Sequence, residues 1–157
     1  MDSELNEDVI FMRMALREAL AAGEEGEVPI GAVIVHAGEL IGKAHNQVER
    51  LKDPTAHAEI LAITQAAETL GDWRLLDTRL YVSKEPCPMC AGAIVAARIP
   101  EVVWGVDDPK RGGASLFNIL DHPNLNHRPL VRTGILAEEA LAVIQEFFNR
   151  KRRPNDD

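Results

Sequence analysis

Two short segments constrain this chain more than anything else in it: His57-Ala58-Glu59 and Pro86-Cys87-Pro88-Met89-Cys90. Each stands at a predicted helix start, with a predicted strand between them. Cys87 and Cys90 are three positions apart, so both sulfurs can face one point. Pro88 suits the first helical position, where a missing N–H costs nothing. The positive end of that helix favours thiolate over thiol. If His57 supplies a third ligand, the fold must bring two helix N-termini together.

The rest of the pattern offers such a fold. Leu5, Val9, Met12, Leu16 and Ala19 recur at helical spacing, which predicts an amphipathic helix from Glu4 to Ala22, ended by Gly23. Ile30–Val35 and Leu40–Ala44 flank His36-Ala37-Gly38-Glu39 and read as a hairpin. A helix is expected from Asp53-Pro54-Thr55 to about Leu70, capped by Asp53 or Thr55 and stopped at Gly71. Arg79–Ser83 is a strand, Cys87 to about Arg98 a helix, Val102–Val106 a strand and Leu130–Thr133 a weaker one. Ala137–Arg150 closes the pattern as a helix, with Leu141, Ile144 and Phe148 on one face. This order predicts one α/β domain over residues 1–157, with helices packed on a central sheet that the hairpin makes mixed.

Composition narrows the class. With 46% hydrophobic and 27% charged residues, the 157-residue chain can bury a core without staples. No run approaches the ~18 apolar residues of a membrane span, and the acidic start Met1-Asp2-Ser3-Glu4 is no secretory signal, so a cytoplasmic protein without membrane association is expected. Two cysteines so close together would bridge only a tiny loop; in a reducing compartment such a pair is more often metal-binding or redox-active. The net charge of −8 argues against general nucleic-acid affinity, but it is unevenly spread. Residues 1–27 hold eight acids and two bases, whereas residues 109–153 hold eight bases and four acids. A basic end on an acidic protein can still be a local anion-binding surface.

The chemistry follows from the ligand count. Three protein ligands leave one tetrahedral position of a zinc ion for water, whose pKa the metal lowers toward ~7. Glu59, two residues past His57, is near the metal but free of it. Its carboxylate can take the water's proton, protonate a ring nitrogen and then protonate a departing amine. A C-x-x-C pair alone is weak evidence, since thiol–disulfide exchange is its usual rival, but a redox site belongs at the first long helix of its fold and this pair lies past mid-chain. A structural zinc needs a fourth ligand, and there is no third cysteine. H-x-E followed by P-C-x-x-C is the signature of zinc nucleobase deaminases, which these two segments resemble.

The similarity extends past the signature. Glu27-Val28-Pro29-Ile30-Gly31-Ala32-Val33, Asp53-Pro54-Thr55-Ala56-His57-Ala58-Glu59-Ile60 and Glu85-Pro86-Cys87-Pro88-Met89-Cys90-Ala91-Gly92-Ala93 resemble consecutive blocks of the bacterial TadA-type tRNA-specific adenosine deaminases. So do Asp121-His122-Pro123, Asn126-His127-Arg128, Gly134-Ile135-Leu136-Ala137 and Phe147-Phe148, which extends the resemblance over roughly residues 8 to 150. It implies a three-layer α/β/α cytidine-deaminase-like fold, a homodimer, one zinc per chain held by His57, Cys87 and Cys90, and Glu59 as proton shuttle. The implied reaction converts adenosine to inosine at the wobble position of a tRNA anticodon. Asn46 falls where the family hydrogen-bonds the flipped nucleotide. The backbone at Ala58 and Pro86 is expected beside the base pocket, and Asp108 in a loop touching a flanking nucleotide.

Substrate class separates the remaining readings. A deaminase of a free nucleobase or nucleoside, of guanine or cytosine type, would use the same metal site. Here, however, the last helix closes with Phe147 and Phe148 beside Arg150, Lys151, Arg152 and Arg153, a mixture suited to unstacked RNA bases and phosphates. With Lys110, Asn126 and Arg128, these residues are expected to grip the anticodon stem-loop. A catalytically dead RNA-binding partner would ordinarily lack the shuttle glutamate, and Glu59 is present.

Overall fold

The computed structural model describes residues 2–152. Its elements are α1 (Asp2–Glu24), β1 (Gly31–His36), β2 (Glu39–His45), α2 (Val48–Leu51), α3 (Ala58–Leu70), β3 (Thr78–Lys84), α4 (Pro88–Ala96), β4 (Glu101–Val106), β5 (Leu130–Arg132) and α5 (Ala137–Arg152). The strands form one sheet in the order β2-β1-β3-β4-β5. β1 is antiparallel to β2 and β3, while β3, β4 and β5 run parallel, so the sheet is mixed as the hairpin requires. Ala37 and Gly38 both take positive φ in the hairpin turn, the handedness that a two-residue turn needs to follow strand twist.

Strand alternation sets the layers. Ala32, Ile34, Leu80, Val82, Val102 and Trp104 point to one face and pack with Ala58, Ala62 and Ala66 of α3 and Ile94 of α4. Val33, Val35, Tyr81 and Val103 point to the other and pack with Met12, Ala15 and Leu16 of α1 and Ala140 of α5. This is the three-layer α/β/α arrangement that the family resemblance implies. Glycine allows two close approaches in it: a Cβ at Gly31 would strike the Ala15 carbonyl of α1, and one at Gly42 would lie 2.6 Å from the Ala62 carbonyl of α3.

Several boundaries and faces differ from expectation. α1 passes through Gly23 to Glu24, and Gly26, at φ 81°, makes the turn instead. Leu5 is exposed, and the position that continues the buried stripe of α1 is Asp8, 1% exposed and paired with Arg132. α3 starts at Ala58 rather than Asp53, because the Asp53 carboxylate accepts bonds from the N–H and hydroxyl of Thr55 and closes a tight turn. The short α2, unforeseen, precedes that turn. On α5 the buried residues are Ala140, Ile144 and Phe147, leaving Leu141 and Phe148 exposed, so the apolar face is rotated by one residue from the expected one.

Candidate active site

The parallel β3–β4 pair needs a crossover, and α4 supplies it. β3 therefore ends at Lys84, and Glu85-Pro86 lead on to Cys87 as the N-cap of α4, with Pro88 in the first turn. His57 is the N-cap of α3. The two helix starts meet: the Nδ1 of His57 lies 3.6 Å from the Sγ of Cys87 and 3.5 Å from that of Cys90. Among the described residues these three form the one group of such side chains close enough to share a metal ion. Nitrogen and sulfur ligands of a tetrahedral zinc stand about 3.6 Å apart, from bond lengths near ~2.05 and ~2.3 Å. The spacing and the soft donor set thus both fit zinc.

The electrostatics of the cluster point the same way. The Cys90 thiol, with His57 assisting, draws Cys87 down to about 4 against the opposing effect of burial. The hydrogen bond with Cys87, together with burial, pushes Cys90 up. Two thiolates so close together disfavour each other, and a cation bound between them would offset that. Burial pushes the carboxyl of Glu59, 4% exposed, up to about 6, against the pull of its own backbone N–H and of His57. A carboxyl tuned there can both accept and return a proton near neutral pH.

A cleft of about 610 Å³ opens over this cluster. Its floor is His57, Glu59, Cys87 and Asn46; one wall is Glu27, Val28, Ile30, Val48 and Glu49; the opposite wall is Lys84, Glu85, Asp108, Lys110 and Arg111. Phe148, Lys151 and Arg152 of α5 complete the rim. The rim bases Lys110, Arg111, Lys151 and Arg152 are exposed, as is one lining acid, Glu49, whereas the acids Glu27, Glu59, Glu85 and Asp108 are buried, so exposed positive charge outnumbers exposed negative charge at the mouth.

Not every expected residue lies here. Cys90 sits beneath the floor, fully buried. The N–H of Ala58 is taken by Asn46 Oδ1 at 2.8 Å, and the carbonyl of Pro86 by the N–H of Gly113 at 2.8 Å, so both backbone groups are satisfied within the chain. Asp108 faces the cleft, but its Oδ1 accepts from the N–H groups of Lys110 and Arg111, and its Oδ2 lies 3.2 Å from Lys84 Nζ. Arg150 lies toward Gly23 of α1, outside the cleft lining, and Lys151 and Arg152 take the expected place. Asn126 and Arg128 are exposed and also outside the lining. Between them the His127 ring bonds to the Ile99 carbonyl, just before β4, at the opposite end of the sheet from Lys84 and Val106. Arg153 lies outside the described residues.

Sequence reading missed two buried carboxylates. Glu27, 2% exposed, accepts the N–H groups of Glu49 and Arg50 and so holds α2 against the cleft. Glu85, 3% exposed, accepts from the loop after β4. The signal available was an acid beside an apolar or metal-ligating segment, Val28-Pro29-Ile30 for Glu27 and Pro86-Cys87 for Glu85, the latter directly after β3. Lys84, at the end of β3, was also passed over.

Comparison with known proteins agrees with this geometry. Residues 6–152 match the MafB19-like deaminase family. A tRNA-specific adenosine deaminase of Aquifex aeolicus (strain VF5) is 53% identical over 143 residues, covering 90% of this chain and 94% of the relative. A structure from studies of A-to-I editing by tRNA:A34 deaminases at the wobble position of transfer RNA superposes with a TM-score of 0.82 at 46% identity, over 85% of this chain and 97% of that one. A guanine deaminase of Bacillus subtilis shares the fold at TM-score 0.62 and 31% identity, over 94% of this chain and 96% of that one. By fold, by the convergence of His57, Cys87 and Cys90, and by likeness over nearly its whole length, the chain belongs to the family of tRNA-specific adenosine deaminases.

Proposed function

We propose that this protein hydrolyses adenosine to inosine and ammonia at the wobble position of a tRNA anticodon, and that it uses one zinc ion per chain. The observation that carries this reading is a buried carboxylate, Glu59, beside a His/Cys group able to hold a metal, at the floor of a cleft whose rim carries four exposed bases. The floor suits one nucleobase and the rim suits a polyanion.

His57, Cys87 and Cys90 would hold the metal, and a zinc ion bound there supplies the Lewis acidity that makes water nucleophilic near neutral pH. Glu59 takes one proton from the attacking water and passes it to the ring nitrogen of the purine; it then takes the second, from the hydroxyl now on the ring carbon, and delivers it to the exocyclic amine, which leaves as ammonia while the carbonyl forms. Asn46 orients the base: its carbonyl is committed to Ala58, so it is the amide NH2 that remains for the substrate. Phe148 offers a stacking face, and Lys110, Arg111, Lys151 and Arg152 neutralise phosphates of the extruded strand. Anticodon bases are already unpaired, so extrusion costs less than from a duplex.

The active form is read as a cytoplasmic homodimer. Beside the resemblance, the exposed Met89, Leu116, Phe117 and Leu141 motivate the dimer. A monomeric mass by light scattering at micromolar concentration contradicts it. No helix of the described residues is long and apolar enough to cross a membrane. The test of the function is incubation with total tRNA followed by sequencing. A-to-G changes confined to wobble positions support it, and their absence with an intact, zinc-loaded enzyme refutes it.

A further inference from the structure

One buried acid has no part in the chemistry above and yet organises a cleft wall. Glu85 stands between the last residue of β3 and the metal-ligating segment. Every hydrogen bond at its side chain is donated to it. Asp108 N–H reaches Oε1 at 3.0 Å, Ala114 and Ser115 N–H reach Oε2 at 3.1 and 2.8 Å, and the Ser115 hydroxyl lies 2.8 and 2.9 Å from the two oxygens. The loop of residues 107–115 is thereby wrapped around a single carboxyl. Gly112 makes the wrap possible, because a Cβ there would collide with Glu85 Oε2 and lie 2.6 Å from the Asp108 carbonyl. Between the clamped ends, Lys110 and Arg111 project exposed at the cleft rim.

We infer that Glu85 is a positioning residue for the polyanionic substrate: it fixes the loop that presents Lys110 and Arg111 to RNA phosphates, and acts on binding rather than on the chemical step. This rests on the reading of the cleft as an RNA site. Removing one acceptor from a buried group of donors leaves an N–H unpaired, which loosens the loop far more than it alters the metal cluster. With fewer phosphates neutralised, fewer counterions are released, and binding becomes less sensitive to salt.

The test is steady-state deamination of an anticodon stem-loop by zinc-loaded Glu85→Gln, with metal content and KM measured over a salt series. The amide turns one acceptor into a donor facing N–H groups. The expected result is a KM raised about tenfold, kcat within about twofold of wild type, full zinc occupancy and a shallower salt dependence. In a Lys110→Ala/Arg111→Ala background the same substitution should change KM little, because the bases it positions are gone. Gly112→Ala perturbs the same wrap from the other side; it should reproduce the KM effect and takes the place of Glu85→Gln if that variant loses zinc or does not fold. A fall in kcat at unchanged KM, or a KM effect of full size in the double-alanine background, overturns the assignment. A wild-type enzyme that leaves the stem-loop untouched overturns the RNA reading instead.

Discussion

The side-chain carbonyl of Asn46 caps a helix to which it does not belong: its Oδ1 accepts the backbone N–H of Ala58 in the first turn of α3, at 2.8 Å. His57, the N-cap by position, makes no side-chain capping bond, so its ring is free for the metal cluster while a residue from beyond β2 satisfies the helix. Structure and substrate recognition therefore share one side chain, and two substitutions separate them. Asn46→Asp keeps an acceptor for Ala58 but loses the NH2 donor, whereas Asn46→Ala loses both. Thermal melting should be near wild type for Asp and lower by about 1 kcal/mol for Ala. Both variants should lose about ten- to a hundredfold in kcat/KM.

Glu59 carries the proton in this mechanism. Glu59→Gln should retain the fold and zinc, and lose several orders of magnitude in turnover, as measured by inosine formation. The same carboxyl leaves a signature in the metal-free protein. Its folded-state value of about 6 stands above the ordinary 4.5, so its contribution to stability is fully present below pH 4.5 and is lost as pH rises through 6. Metal-free Glu59→Gln should accordingly be more stable than wild type at pH 7 to 8, by about 2 kcal/mol, with the difference gone below pH 4.5. Denaturant titrations at the two pH values check it.

The metal is expected at one zinc per chain by elemental analysis. Cys87→Ala should abolish it and lower the melting temperature, because the cluster ties the starts of α3 and α4 together. A full complement of zinc in Cys87→Ala would contradict the ligand assignment.

A second pH effect lies on the far face of the sheet. Burial works against the charge of Asp8, but the guanidinium of Arg132, 2.8 and 3.0 Å away, and the hydroxyl of Tyr81 at 2.7 Å hold its carboxyl below the ordinary 3.8. A depressed carboxylate contributes stability that is present above 3.8 and lost as pH falls through the folded value. Wild type should lose stability on acidification below pH 4 more steeply than Asp8→Asn, and Arg132→Ala should cost about 2–3 kcal/mol at pH 7, because Asp8 then keeps only the Tyr81 hydroxyl as a hydrogen-bond donor.

The site and the sheet were legible in the sequence to different depths. Strand alternation at Ala32–Val35 and Leu80–Val82 sorts residues between faces with no knowledge of tertiary contacts, and the helix starts before His57 and Cys87 point to convergence. The start of α3 was misplaced because Asp53 can serve a turn as readily as a helix cap, and local sequence does not choose between them. The face of α5 was misjudged by one residue, because its apolar positions outnumber those the sheet can cover. Glu27 and Glu85 went unseen because their partners are backbone N–H groups far along the chain, which no sequence pattern marks. Asn126 and Arg128 are expected at the stem-loop from the resemblance, and the fold sets them beside the start of β4, away from the cleft lining.

The most direct measurement of the central claim is deamination by the zinc-loaded protein of an anticodon stem-loop with adenosine at the wobble position, run beside free adenine, adenosine, guanine and cytidine, with inosine and ammonia quantified together. The predicted result is stoichiometric inosine and ammonia from the stem-loop, weakened by rising salt, and negligible turnover of the free compounds. Efficient turnover of a free base or nucleoside with an untouched stem-loop would contradict it, leaving the metal chemistry intact but assigning it to a different substrate.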